Sequence, residues 1–265
     1  MISYRELVTS FQAFGLERNT PVMAHASLAA FGPVNGGVDS LLGALLASFD
    51  TVLMPVFTTR TMLIPEVGPE NNGLRYGSGR VSNASAEFFR PDMPADRAMG
   101  ALAESLRRLP QALRSRHPIL SVAGINGERY LAAQSLADPL GPWQSLMDVN
   151  GWVLLLGVDH RANSGLHLAE QLAGRKQFTR WSLTPYGVVE CPAMPGCKQG
   201  FNAIAPQVRR ITRQVMAGET VIQAIPLAEL VSIARAWLAS DPLAMLCERN
   251  ECELCQAVRI EIARV

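Results

Sequence analysis

One short run constrains this chain more than any other feature: Trp152-Val153-Leu154-Leu155-Leu156-Gly157-Val158, which follows Gly151 and carries no charged side chain. It is far short of the roughly 20 residues a membrane-spanning helix needs. It also has no polar face, so it does not suit a surface helix. Side chains of a strand alternate between the faces of a sheet, and a run without alternation predicts a central strand covered on both sides. Apolar runs of similar character recur at Val22 to Ala24, Thr51 to Phe57 and Ile119 to Ala123, separated by segments with helical spacing. That alternation predicts an α/β fold.

The intervening segments carry helix signals. Ser3 and Glu6 form a capping-box pattern ahead of Leu7, Phe11 and Phe14 on one face. Asp39 to Phe49 repeats the spacing with Leu42, Leu45, Leu46 and Phe49. Phe201, Ile204, Val208, Ile211 and Val215 predict one long amphipathic helix, and Pro226 opens another through Leu238. The last third therefore reads as mainly helical, and residues 1–265 as a single domain. Thr58 to Arg80 scatters Gly, Pro and Asn without period, which predicts a long irregular loop of the kind that carries function.

Composition removes several function classes. With 48% apolar residues, 18% charged residues and a net charge of +1, the chain is neither disordered nor an electrostatic nucleic-acid binder. The first twenty residues lack a basic start followed by an apolar run, so the expectation is a cytoplasmic protein with no membrane partner. All five cysteines, Cys191, Cys197, Cys247, Cys252 and Cys255, lie in the last third; an odd number fits a reducing compartment better than a disulfide framework. Cys247, Cys252 and Cys255 have C-x4-C-x2-C spacing, to which Cys191 or Cys197 can add a fourth thiolate. Only Cys252 to Cys255 has the short knuckle spacing of a typical zinc site, so buried thiols and no metal are expected.

Three segments can carry chemistry. His25-Ala26-Ser27-Leu28 ends the first strand, and Gly36-Gly37 precedes the next helix, where exposed N–H groups can hold a phosphate. A plain tight turn is the competing reading, and Asp39 in the first turn already occupies the helix dipole. Arg114-Ser115-Arg116-His117-Pro118, followed by Ser121, can grip phosphates bidentately or can simply complement a helix C-terminus. The central strand delivers the chain into Asp159 to Ser164 and a helix bearing His167 and Glu170, three apart on one face, so that the carboxylate can orient the imidazole. The competing reading is a buried structural histidine. A zinc reading of His-x-x-Glu lacks a third ligand.

Taken together and in this order, MAHASLAAFGPVNGG, TVLMPVFT, RAMGALAESLRRLPQALRSRHPILSVAG, GWVLLLGVD and NSGLHLAE resemble the aminoglycoside 3-N-acetyltransferase family, which is distinct from the GNAT acetyltransferases. The set covers most of residues 20 to 172. The resemblance implies a three-layer α/β/α fold with a central mixed sheet and a mainly helical C-terminal part. It implies acetyl-CoA as donor and a small-molecule amine as acceptor, the 3-amino group of a 2-deoxystreptamine aminoglycoside, hence antibiotic resistance. Carried over by residue, His25, Ser27, Leu28, Gly36, Gly37, Arg114, Ser115, His117 and Ser121 would line the CoA groove, and His167 would be the catalytic histidine. The chain departs from the family pattern at Ser164-Gly165, where members commonly read Thr-Ser. It also has no histidine in Leu136 to Gly141, and its near-neutral balance gives no sign of an acidic, polycation-binding surface.

An amine attacks a thioester only when unprotonated, so the expected mechanism is direct transfer with His167 as general base and Glu170, or another carboxylate brought close by folding, orienting it. Backbone N–H groups, with Ser164 or Ser27, would stabilise the oxyanion. No cysteine lies in the matched segments, which argues against an acetyl-enzyme. Two alternatives stay open: transfer to a different amine, and a CoA-binding relative without catalysis.

Overall fold

A computed structural model describes residues 1–264. Its strands are β1 (Val22–Ala26), β2 (Val52–Pro55), β3 (Met62–Leu63), β4 (Leu113–Arg114), β5 (Val122–Ile125), β6 (Trp152–Leu156), β7 (Phe178–Thr184), β8 (Gly187–Met194), β9 (Arg213–Ala217) and β10 (Thr220–Pro226). Seven of them form one sheet in the order β4-β5-β2-β1-β6-β10-β9. The apolar run is β6, parallel to β1 over five residue pairs from Val22↔Trp152 to Ala26↔Leu156. On its other side β1 is parallel to β2. Antiparallel pairs extend both edges, so the sheet is mixed. A smaller sheet, β3-β7-β8, stands apart.

The helices are α1 (Tyr4–Gln12), α2 (Gly37–Ser48), α3 (Arg80–Ala84), α4 (Gly100–Arg107), α5 (Glu128–Ala132), α6 (Gly141–Met147), α7 (Gly165–Leu172), α8 (Ala205–Val208), α9 (Leu227–Ser240) and α10 (Glu253–Ile262). None of the described helices is long and apolar enough to cross a membrane. Strand alternation sorts the core into two layers. Val22, Ala24, Val52, Met54, Leu154 and Leu156 meet α1, α2 and α4 on one face. Met23, Leu53, Val153 and Leu155 meet α6, α7 and α9 on the other. This is the expected α/β/α sandwich, and the capping box of α1 forms as read, with Ser3 N–H on Glu6 Oε2 at 2.7 Å and Glu6 N–H on Ser3 Oγ at 3.3 Å.

The long helix expected from Phe201 to Val215 is corrected. A short turn over Phe201–Ile204 and the single turn of α8 give way before β9, which pairs with β10 from Thr220↔Ala217 to Ala224↔Arg213. Val208 packs in the α7/α9 layer, whereas Val215 packs against the α1/α2 layer, which one straight helix cannot do. The signal against the helix was Gly218, whose φ of +61° makes the hairpin turn. Ladder hydrogen bonds at the sheet edge outweigh local periodicity. The 58–80 segment is irregular as read, yet it contributes β3 to the small sheet.

Gly157 releases the chain from the end of β6 with φ +71°, and a Cβ there would lie 2.6 Å from Ala30 Cβ and 3.2 Å from Ser27 O. Both the left-handed backbone and the close approach demand glycine. Gly157→Ala is expected to destabilise the protein by about 2 kcal/mol or more, read as a lower denaturation midpoint with unchanged slope. A wild-type midpoint would show that this crossing is not tightly packed.

Candidate active site

The strand order places β1 between two parallel neighbours reached by opposite windings, and ligands of open α/β sheets bind outside the carboxyl ends of the strands at such a switch point. His25 and Ala26 end β1 there, Ser27 N–H continues the pairing to Leu156 O at 2.9 Å, and Gly157 ends β6. A groove of about 590 Å³ runs between Ser27, Leu28 and Gly37 on one side and Arg97 and Gly100 on the other. A second, of about 750 Å³, is walled by Ser27, Gly157, Asp159, Lys198 and Gln199. Between them a narrow cleft of about 60 Å³ reaches His25 and Ser164. Val158 borders all three.

Gly36 and Gly37 open α2 with φ of +77° and +59°, and a Cβ on Gly37 would meet nothing within 4 Å, so its backbone faces the groove openly. Arg97 lines the first groove and Lys198 the second, and neither has a carboxylate at ion-pair distance among the described residues, whereas Arg161 in the second groove is paired with Asp159. Neither was legible as a site residue, because only tertiary packing brings residues 97 and 198 to the ends of β1 and β6.

His167 lies in the first turn of α7, whose residues Gly165 to Glu170 are all buried. Its Nδ1 sits 2.8 Å from Glu170 Oε2, and Arg175 Nη1 donates to Glu170 Oε1 at 2.8 Å. Arg175 Nη2 in turn donates to the carbonyls of Pro242 (2.6 Å) and Ala244 (2.8 Å). With Arg175 on its other oxygen, Glu170 is the acceptor in both contacts, so Nδ1 carries the hydrogen and Nε2 keeps a lone pair. The Phe201 ring covers the imidazole at 4.7 Å between centroids. The sequence pairing of His167 with Glu170 is thus realised in space. Arg175 and Phe201 were missed: the arginine lies beyond the end of α7 at Leu172, and Phe201 approaches from another segment. Gly165 packs against Leu227 and Val153 in the core, so the hydroxyl absent at that position does not face the cleft, whereas Ser164 does.

The Arg114 run has a different task from the one read in the sequence. Arg114 does not end a helix; it sits on β4 and donates to Ser121 Oγ at 3.0 Å, Val56 O at 2.9 Å and Pro91 O at 3.2 Å, and also to Met93 O. Ser115 Oγ bonds Gln134 and accepts from Val122 N–H at 2.9 Å. His117 Nδ1 accepts from the N–H groups of Ile119 and Leu120 at 3.2 and 3.0 Å. These groups tie the β4–β5 edge to β2, and a guanidinium engaged by four acceptors has no fork left for a phosphate. In this run, His117 Nε2 is buried without a partner.

His25 behaves differently from His167. It points into the cleft from β1 with Nε2 buried and unpartnered, and burial first, then the charge of Lys198, holds its pKa down to about 3. A group that resists protonation so strongly is a poor base. Burial likewise lowers His117 to about 4.

Comparison with known proteins gives a consistent picture. The family model described as aminoglycoside 3-N-acetyltransferase matches residues 23–239. The SPbeta prophage-derived aminoglycoside N(3')-acetyltransferase-like protein YokD of Bacillus subtilis is 29% identical over 180 residues, covering 63% of this chain and 64% of that one, so the match spans slightly under two thirds of that relative. Aminoglycoside N(3)-acetyltransferase III of Salmonella sp is 25% identical over 233 residues, covering 77% and 79%. In three dimensions the apoenzyme of aminoglycoside acetyltransferase AAC(3)-IVa aligns with a TM-score of 0.79 at 24% identity, over 98% of this chain and 97% of the other.

The two depressed histidines set a pH dependence. Both stay neutral in the folded state well below the ordinary value of about 6.5. The unfolded chain therefore binds more protons as pH falls below 6.5, and stability falls with it until about pH 4 for His117 and about pH 3 for His25, with His160 lowered in the same direction. Between pH 7.5 and 5.5 the unfolding free energy is expected to drop by about 3 kcal/mol, measured by denaturant titration. A flat profile over that interval would mean that His25 and His117 are not held neutral.

Proposed function

The chain belongs to the aminoglycoside 3-N-acetyltransferase family, and on that premise we propose that it transfers the acetyl group of acetyl-CoA directly to the 3-amino group of a 2-deoxystreptamine aminoglycoside, with His167 as general base. The observation that carries this reading is the buried Arg175–Glu170–His167 chain, which leaves Nε2 as the basic nitrogen. His167 Nε2 takes the proton of the attacking amine, the carbonyl carbon becomes tetrahedral, and the C–S bond breaks to release CoA thiolate. Glu170 stabilises the imidazolium through Nδ1–H, and Arg175 fixes Glu170. The oxyanion is met by backbone N–H groups with Ser164 or Ser27.

CoA lies in the groove between Ser27, Leu28 and Gly37 and the start of α4, with its phosphates facing Arg97, while Lys198 borders the adjoining groove and the cleft; His25 is a neutral wall of the cleft. This reading moves the phosphate grip away from Arg114, Ser115, His117 and Ser121, which hold the sheet edge beneath it. Support comes from AAC-IIIb, a protein of this fold solved as a binary complex with CoASH. A histidine-to-alanine mutant of AAC(3)-IVa, solved in complex with a gentamicin and with apramycin, supports the acceptor class.

The test is thiol release from acetyl-CoA across a panel of aminoglycosides and simple amines, together with CoA-induced shifts in Tm. His167→Ala is expected to lower turnover by about 10²–10⁴-fold while keeping the CoA-induced shift, and Arg97→Ala to diminish that shift. Retention of more than about a tenth of wild-type turnover in His167→Ala removes it as the base. Release with simple amines alone replaces the aminoglycoside by another acceptor, and CoA binding without any release makes the chain a binding relative.

A further inference from the structure

We propose that Cys197, Cys247, Cys252 and Cys255 form a tetrathiolate site for one structural Zn²⁺. The four Sγ atoms all lie within 4.8 Å of one another, and all four residues are free thiols. Zinc–sulfur bonds of about 2.3 Å in a tetrahedron set sulfurs about 3.8 Å apart, so four sulfurs already within 4.8 Å of one another need only a small contraction to close on the ion. The expectation of no metal rested on spacing, which shows one short knuckle, Cys252-x2-Cys255. The second half of the site is assembled in space from Cys247 and from Cys197, fifty residues earlier in the chain.

The surroundings suit thiolates rather than an apolar cluster. Cys252 is the N-cap of α10 and Cys255 lies in its first turn, at the positive end of the helix dipole. Gln199 N–H donates to Cys197 Sγ and Cys247 N–H to Cys255 Sγ, each at 3.4 Å. Arg259 Nη2 donates to the Cys247 carbonyl at 2.7 Å, and Arg249 follows Cys247 by two residues. With Lys198 beside Cys197 these cations offset the double negative charge of a zinc tetrathiolate. The fifth cysteine marks the contrast: Cys191 packs with Phe178 and Met194, and burial pushes its thiol up to about 12.

The place of the site gives it a consequence for the rest of the molecule. Cys197 begins the segment that brings Lys198 to the cleft at His25 and Phe201 onto the His167 ring. Zinc would fasten that segment to α10, turning a loop into a fixed wall.

Metal content decides the matter without any turnover measurement, so the result is independent of the acetyl-transfer reading. Protein purified without added metal is expected to carry one zinc per chain by elemental analysis. Zinc should be released in step with titration of four thiols by a mercurial, and Co²⁺ exchange should give tetrahedral thiolate bands. Cys191→Ala should keep the metal; Cys197→Ser and Cys252→Ser should lose it and lower Tm by about 5 °C or more. Should the serine variants fail to fold, thiol-coupled release and the Co²⁺ spectrum of the wild type decide alone. Metal-free protein with five titratable thiols, a disulfide within the cluster, iron in place of zinc, or zinc retained by both serine variants would each overturn the proposal.

Discussion

The five-residue parallel pairing of β1 with β6 is the constraint on which the rest of the structure depends. It sets the alternation that sends Ala24 and Leu154 to one layer and Met23 and Leu155 to the other, and so fixes which helices can cover which face. A one-residue slip would exchange the two sets, exposing each layer's residues to the wrong partners. The same pairing brings the ends of β1 and β6 level. Their exits at Ser27 and Gly157 therefore open into one crevice, with Leu156 O holding Ser27 N–H across it.

Around that crevice, buried charge is admitted only where it is paired. Glu170 is almost fully covered, and a carboxylate in such a place is strongly unfavourable unless its oxygens are both engaged. Arg175 and His167 each take one oxygen, and two backbone carbonyls hold Arg175. The imidazole is thereby fixed in orientation and tautomer by a chain of contacts that ends in the backbone near Pro242 and Ala244, well away from the helix that carries it. Histidines without such a partner, His25 and His117, are kept neutral by burial instead. Imidazoles of one chain thus differ in chemistry because their surroundings differ.

Arg114 shows how a cationic run can look like a ligand site and act as a strut. Its guanidinium joins β4 to Ser121, Val56 and the loop at Pro91 and Met93. Of the free cations at the crevice, Arg97 begins a short 3-10 turn and Lys198 lies in the loop after β8. A basic residue read in isolation does not reveal whether its partners are backbone carbonyls or a bound anion.

By itself the sequence determined the features that depend on near neighbours in the chain. The apolar run of β6, the capping box of α1 and the His167–Glu170 spacing each need only local geometry: strand alternation, a reach of three residues to an orphan N–H, or one helical turn. The fold class and the orienting carboxylate were legible for that reason. Tertiary structure alone decided what is joined across the chain: Arg175 completing the pair at Glu170, Phe201 on the imidazole, β9 in place of the end of a helix, and Cys197 meeting Cys247, Cys252 and Cys255. Those contacts follow from sheet order and helix packing, which are settled by the summed burial of the whole core, so no local pattern of residues encodes them.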